Sequence, residues 1–576
     1  MALISLLDGI GSFMNRVYKI IYNQVFKSFL INNKKFILLF IMLLSIDIAF
    51  NNYSYFSGLK LFFYWDFNGQ VKYLLYLLNY VIQILIILLL LTSKNRALRH
   101  SSYIVLFLTF SIFLTYFFIN GYGFTSNEAM VAISDFSFAK EAFKNFSTSI
   151  YKAVGFSTLL LIAICFFIGK TYNNIRTNIL IMTFSTLMVL YVFVGTSSAA
   201  DRLFFVPYKV IFNYYNAYKS PMFFGKKQTL QRISGASKVD KIVYVVDESI
   251  VGNKLSINGF EKNTTPFLKS IEHEIYNYGV ASSAANCSSI SNTILRSGIM
   301  PNMLPDKEQA SLRNANIWAY AKKAGYYTVF IDAQNKKNKP HNFMTKYDFA
   351  TIDKYIQIEK YSLPNRYMND FKLIDILKEE LVKHEKIFVY INKLGAHFPY
   401  EETYPEKNKF FLPTLRDGEA PSLEKKEKML NSYFNSIRWS VDLWWEKVYS
   451  QIKNLDVLFL YTSDHGQNLF DNSSKATHCS INPISSEANV PIFLFPFGET
   501  KAIVEGYAGD NLFSNIDHAS HFNIFPTILF LEGYVLKDNE ISLFEALSQQ
   551  KRLFYSGDIW GRTNFKKNIF DESNIK

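Results

Sequence analysis

Apolar positions along the chain follow two different patterns. Before about residue 200 they come in long runs, at roughly 36–52, 71–92, 102–119, 153–169 and 178–197. Each run is about the length a helix needs to cross hydrocarbon. After about 238 the runs shorten and fill with β-branched and aromatic residues, at Ile242–Val246, Tyr327–Ile331, Ile387–Ile391, Val457–Tyr461 and Val490–Phe495. Helical periodicity separates several of them, at 313–324, 369–384 and 423–453. Strands alternating with helices predict a largely parallel sheet covered on both faces. Three parts follow: a five-span helical domain over 1–200, a linker over 201–237 and an α/β domain over 238–576.

Charge orients the spans. Lys34 and Lys35, then Lys94, Arg96 and Arg99, then Lys170 and Arg176 lie in alternate loops and so share one side. Basic loops favour the cytoplasm, which puts the loop 120–152 and everything after residue 200 outside. Segment 1–30, with Arg16, Lys19 and Lys27 among apolar residues, reads as an amphipathic surface helix because no small-residue cleavage site follows. Asp47 falls inside the first run, and a carboxylate there implies a protein-facing or interfacial position. The aromatic and lysine mixture of 201–235 suits either a helix at headgroup level or a linker packed on the outer domain.

Composition adds three constraints to the 576-residue chain. Hydrophobic residues make up 49% and charged residues 19%, which excludes a mostly disordered chain. The net charge of +13 suits basic cytoplasmic loops and a surface facing anionic lipid. Nucleic acid is disfavoured as a partner, since an exported domain would not meet it. Three cysteines exclude a disulfide scaffold and a Cys-rich zinc fold.

In parallel α/β sheets the chemistry gathers at the carboxyl ends of the strands. Asp247 and Glu248 stand where the first strand should stop, and Asp464 and His465 follow another. Singly, an acid at a strand end is more often a cap or turn former. Together these residues supply oxygen and nitrogen ligands for a divalent metal, with Gly466 permitting a sharp turn. A hydroxyl at a helix start beside the metal would be activated as a nucleophile. "NCSSISNTILRSG" (Asn286 to Gly298) offers Ser288, Ser289 and Ser291. His397 in "KLGAHFPY" and His478 in "SKATHCS" lie in polar loops where an imidazole could hold a phosphate or act as a general acid. His518 and His521 in "DHASHFNIFPTIL" carry a weaker signal.

The strings "DESIVGNKLSINGFEKNTTPFL", "YTSDHGQNLF" and "GAHFPY" resemble the bacterial phosphoethanolamine transferases, the membrane-anchored branch of the alkaline phosphatase superfamily. The resemblance implies five spans, a bridging helix and an alkaline phosphatase/sulfatase-like α/β/α sandwich in the periplasm of an inner-membrane protein. It implies Glu248, Asp464 and His465 as zinc ligands, with one tightly bound ion and a second left open. The family's nucleophile is usually a threonine four residues after a cysteine. From Cys287 that count reaches Ser291 as nucleophile and metal ligand, with Ser289 in reserve. His397 and His478 match the histidines that hold the transferred phosphate. Ser137 and Glu141 match two members of the donor-binding segment, and Ile133 stands in the place of its asparagine.

The implied reaction transfers phosphoethanolamine from phosphatidylethanolamine to lipopolysaccharide, on lipid A or an inner-core sugar, by a monomeric enzyme that forms a phosphoryl-serine. A phosphoglycerol transferase and an inactive lipid-sensing relative are the alternatives. A sulfatase is disfavoured because the C/S-x-P-S-R signature is absent. Departures from the family pattern are Asp247 for a usual Gly, Gln467 for a usual Glu, and Ser297 where the partner of Cys287 is often found. The cysteines imply little or no disulfide support, although a Cys287–Cys479 bridge is compatible with both lying near the site.

Overall fold

The computed structural model describes residues 34–52, 67–168 and 204–571, apart from short stretches within these spans. The amphipathic segment 1–30, the fifth apolar run and Ile133 lie outside the described residues. The chain divides into two compact units, Met1–Lys219 and Ser220–Lys576.

The first unit contains α1 (Lys34–Asp47, continued by a π turn over Ile48–Asn52), α2 (Phe67–Leu91), α3 (Arg96–Asn120), α4 (Ser137–Ile168) and α5 (Val206–Lys219). Among the described residues three stretches are long and apolar enough to cross a membrane: Tyr73–Leu91, Arg96–Ile119 and Phe146–Ile168. Phe36–Asn51 is a shorter apolar helix, so the described residues hold three of the five expected spans at full length. That helix ends on polar residues that turn inward. Tyr80 donates to Asp47 Oδ2 at 2.7 Å, and the Val206 N–H donates to Asp47 Oδ1 at 2.9 Å. Asp47 thus faces protein and satisfies the first amide of α5, a group no intrahelical bond can reach.

The second unit is built on a seven-stranded sheet in the order β2-β7-β6-β1-β5-β3-β4. The strands are β1 (Lys241–Asp247), β2 (Tyr276–Ser282), β3 (Tyr327–Asp332), β4 (Lys354–Gln357), β5 (Ile387–Asn392), β6 (Val457–Ser463) and β7 (Asn489–Phe497). β6, β1, β5, β3 and β4 run parallel, whereas β7 pairs antiparallel with both β6 and β2. The sheet is therefore largely parallel, as the alternation predicts, with one antiparallel edge. Alternate residues feed two cores. Val243, Val245, Val389, Ile391 and Phe459 enter one, and Ile242, Tyr244, Phe388, Tyr390 and Leu460 enter the other. Burial on both faces explains why these strands read as continuous apolar runs.

The connector divides between the units. Its helix α5 belongs to the first. Its later part is strapped to the second by Gln228 N–H to the Arg313 carbonyl at 2.7 Å, a Lys227–Asp348 pair at 2.8 Å and an Arg232–Glu540 pair. The predicted helix over 423–453 is Lys426–Ile437 and Trp444–Ile452, joined through a π turn at Arg438–Leu443.

Candidate active site

β1 and β6 are neighbours in parallel register, with Asp247 opposite Ser463. The residues just past their ends must meet, and they do. Ligand atoms of Glu248, Asp464 and His465 all lie within 4.8 Å of one another, and all three side chains are buried. The turn between β6 and His465 is tight. A side chain at Gly466 would collide with the Ser486 and Asn489 carbonyls, so only glycine fits the D-H-G string.

The hydrogen bonds orient each group. His465 Nδ1 lies 2.6 Å from the Gly466 carbonyl, which can only accept. The proton therefore sits on Nδ1, and Nε2 presents its lone pair to the cluster, 3.5 Å from Glu248 Oε1 and 3.6 Å from Asp464 Oδ2. Asp464 Oδ1 accepts from Ser249 N–H at 3.1 Å and His465 N–H at 2.8 Å. Its Oδ2 is buried with no hydrogen-bond partner. Glu248 Oε1 accepts from the Ser249 hydroxyl at 2.7 Å, and Oε2 from Gln334 Nε2 at 3.0 Å. Burial and the neighbouring Asp464 push the Glu248 carboxyl up to about 7, and burial pushes Asp464 up to about 6. Two buried acids driven towards protonation, an orphaned carboxylate oxygen and an imidazole lone pair form a donor set suited to a divalent cation.

Besides the Ser249 hydroxyl on Glu248, the Ser288 hydroxyl reaches this set. Its Oγ lies 2.9 Å from His465 Nε2 and 3.5 Å from Glu248 Oε2. Ser288 opens α6 (Ser288–Ser297), whose N-cap Cys287 is extended and makes no side-chain cap. The first amides of the helix thus face the same place as the hydroxyl, a natural anion site. Ser291, the residue singled out by counting from Cys287, lies one turn further in. It is fully buried, and its Oγ pairs with His521 Nδ1 at 3.2 Å. Ser289 is half-buried in the first turn.

His478 stacks on His465, with ring centroids 4.3 Å apart, and its Nδ1 meets Gln467 Oε1 at 2.8 Å. Burial lowers its pKa well below the usual range, and the charges of His465 and His397 add to this. His397 stands on the loop after β5. Its Nδ1 lies 2.6 Å from the Phe398 carbonyl, and Arg366 Nη2 lies 3.3 Å from the same nitrogen. Ser137 and Glu141 fall in the first turn and a half of α4, and their side chains are outside the described residues.

Three participants carried little or no sequence signal. Gln334 bridges Glu248 and the Lys393 carbonyl from just beyond β3. His521 accepts the Ala284 N–H at 3.1 Å and approaches Thr462 Oγ1 at 3.0 Å, and burial holds its pKa down to about 3, so it supports the helix start as a neutral ring. The third is a Cys287–Cys479 disulfide, the bridge left open beside the expectation of little or no disulfide support.

Asp247, the departure from the family's glycine, has its own explanation. It forms a fully buried pair with Lys393 at 2.6 Å and accepts from Tyr461 at 2.8 Å and from the Glu248 N–H at 3.0 Å. Lys393 also donates to the Ser440 carbonyl at 2.5 Å, a group in the π turn, where the regular helical ladder is interrupted. Gly395 makes room, since a side chain there would strike Asp247.

Residues 240–534 match the family model described as Sulfatase. This chain belongs to that family. By sequence it is similar to Kdo(2)-lipid A phosphoethanolamine 7''-transferase of Escherichia coli (strain K12), 22% identical over 316 residues that make up 52% of this chain and 53% of the relative. It is also similar to phosphoethanolamine transferase EptC of the same organism, 25% identical over 267 residues, 44% of each chain. The chain spans about half the length of the curated relatives it matches. By fold it resembles the integral membrane protein lipooligosaccharide phosphoethanolamine transferase A (EptA) from Neisseria meningitidis, with a TM-score of 0.62, 18% identity, and coverage of 89% of this chain and 98% of that one. The curated relatives named as phosphoethanolamine transferases agree with the resemblance carried by the sequence motifs.

Proposed function

We propose that this protein transfers phosphoethanolamine from phosphatidylethanolamine to lipopolysaccharide, on lipid A or an inner-core sugar, through a phosphoryl-serine on Ser288. The observation that carries the reading is the Ser288 hydroxyl lying 2.9 Å from His465 Nε2, inside the cluster that Glu248 and Asp464 complete. The names of the relatives support phosphoethanolamine as the transferred group, and one of them supports a lipid A acceptor. Ser288 takes the role expected of Ser291, whose hydroxyl is committed to His521.

Glu248, Asp464, His465 and the Ser288 Oγ would hold a zinc ion. When bound it supplies Lewis acidity that favours the serine alkoxide and neutralises charge on the phosphoryl group. Ser288 attacks phosphorus as the Oγ–P bond forms, the P–O bond to diacylglycerol breaks, and the proton given up by the Ser288 hydroxyl is balanced by one taken up on the departing oxygen. The α6 amides and the imidazoles of His397 and His478 hold the phosphoryl oxygens. An acceptor oxygen then attacks phosphorus, and Ser288 is released. Ser137 and Glu141 at the start of α4 contact the donor headgroup. The protein sits in the bacterial inner membrane with the second unit in the periplasm, acting as a monomer.

The test is mass spectrometry of lipopolysaccharide from a deletion strain carrying wild type, Ser288→Ala or Ser291→Ala. Wild type and Ser291→Ala are expected to restore the phosphoethanolamine mass, and Ser288→Ala to leave it missing. Restoration by Ser288→Ala would sink the assignment.

A further inference from the structure

Ser288 and His478 come from segments far apart in sequence, and each has a cysteine as its immediate neighbour. Cys287 precedes the serine, Cys479 follows the histidine, and their disulfide spans a separation of 192 positions with Cα atoms 4.6 Å apart. The residues from 478 to 480 form neither helix nor strand, so their place depends on side-chain and main-chain ties. Cys479, in the left-handed region at φ 58°, donates its N–H to the Asn286 carbonyl at 2.8 Å. Asn286 Nδ2 donates back to the Ser480 carbonyl at 3.0 Å and to Glu487 Oε2 at 2.8 Å. The buried Glu487 carboxylate also accepts the Ser480 N–H at 3.1 Å and the Ser480 hydroxyl. The Glu487 carbonyl takes the Gly466 N–H at 3.0 Å. One clasp therefore joins the start of α6, the D-H-G turn and the His478 segment.

We infer that the Cys287–Cys479 disulfide is a positioning tie for the transfer, fixing the His478 imidazole against Ser288 and His465. The inference rests on the reading of Ser288 as nucleophile and His478 as a phosphoryl-holding group. A bridge that served only the fold would act chiefly on the unfolded chain. A tie between two reacting groups acts on the rate, because displacements near 1 Å can cost about 100-fold.

The experiment uses the full chain in detergent with a fluorescent short-chain phosphatidylethanolamine as donor. Diacylglycerol release is followed before and after reduction by a phosphine, in wild type, His478→Ala and Cys165→Ser, with zinc content and the unfolding midpoint recorded. Reduction is expected to lower kcat roughly 10- to 100-fold with little change in KM. It should do so equally in Cys165→Ser, and by less than about twofold in His478→Ala, because a tie acting through His478 has nothing left to position. The Cys287→Ser/Cys479→Ser double variant should behave as reduced wild type, and if it does not fold, chemical reduction of the folded protein carries the test. An equal fold-loss in wild type and His478→Ala would overturn the tie, as would reduction without effect on kcat. Wild-type activity of unreduced His478→Ala would instead remove the reading of His478, and the tie with it.

Discussion

Asp247 and Glu248 are consecutive buried acids at the end of one strand, yet their surroundings differ in kind. Asp247 meets a lysine, a tyrosine hydroxyl and a main-chain amide, so its charge is balanced within the chain. Glu248 meets a second carboxylate, an imidazole lone pair and a serine hydroxyl, with Asp464 Oδ2 left without a partner. The difference teaches how a strand end can be structural and chemical at once. The alternation of side chains sends one acid beneath the sheet end and the next above it. The lower acid is closed by its own counter-ion, and the upper group is left open for a cation. Burial alone does not mark a functional acid; the absence of an internal counter-charge does.

This contrast can be broken from either side. Asp464→Asn removes a charge from the open cluster, and transfer is expected to fall roughly 1,000-fold or more with loss of bound zinc, read by turnover and metal analysis. Lys393→Met leaves Asp247 buried and unpaired, which should destabilise the second unit by about 3–5 kcal/mol. Adding Asp247→Asn should recover part of that loss in thermal or urea unfolding, since the Asp247 charge is gone while the buried Asp370 still lacks the nearby Lys393 charge. Gln334→Ala removes the amide that steadies Glu248 Oε2 and should weaken zinc binding by about 10- to 100-fold with little change in unfolding, measured by competition with a chelator.

The smallest effect concerns Asp442, a buried acid of the π turn that accepts the Leu268 N–H at 3.1 Å. Burial pushes its carboxyl up to about 6. The folded state then binds the proton more tightly than the unfolded state. Stability from this group is present at low pH and is lost as pH rises through about 6. Unfolding of Asp442→Asn across that window should show a flatter pH dependence than wild type.

Much of this arrangement was legible in the residues. The strand ends at Asp247–Glu248 and Asp464–His465 could be paired because parallel α/β sheets bring their carboxyl ends together. Which serine hydroxyl faces the cluster was not legible, because a count from Cys287 cannot tell which of several serines opens a helix. The extended Cys287 starts the helix at Ser288, so Ser291 turns into the core. β2 and β4 escaped because polar residues such as Asn277, Lys354 and Gln357 interrupt their apolar pattern. Gln334 and His521 act through distant partners that one-dimensional spacing does not encode.

The disulfide also sets an order of manufacture. Cys287 is synthesised 192 residues before Cys479, a delay of about 10–40 s at ordinary translation rates. During that interval its thiol has no native partner, and Cys165 is the other cysteine already made. The bridge can close only after β6 and the D-H-G turn have emerged, since both precede Cys479 in the chain. A nascent chain stalled short of residue 479 would thus carry Ser288 and all three members of the acid and imidazole cluster, yet not the His478 segment as it stands in the finished protein.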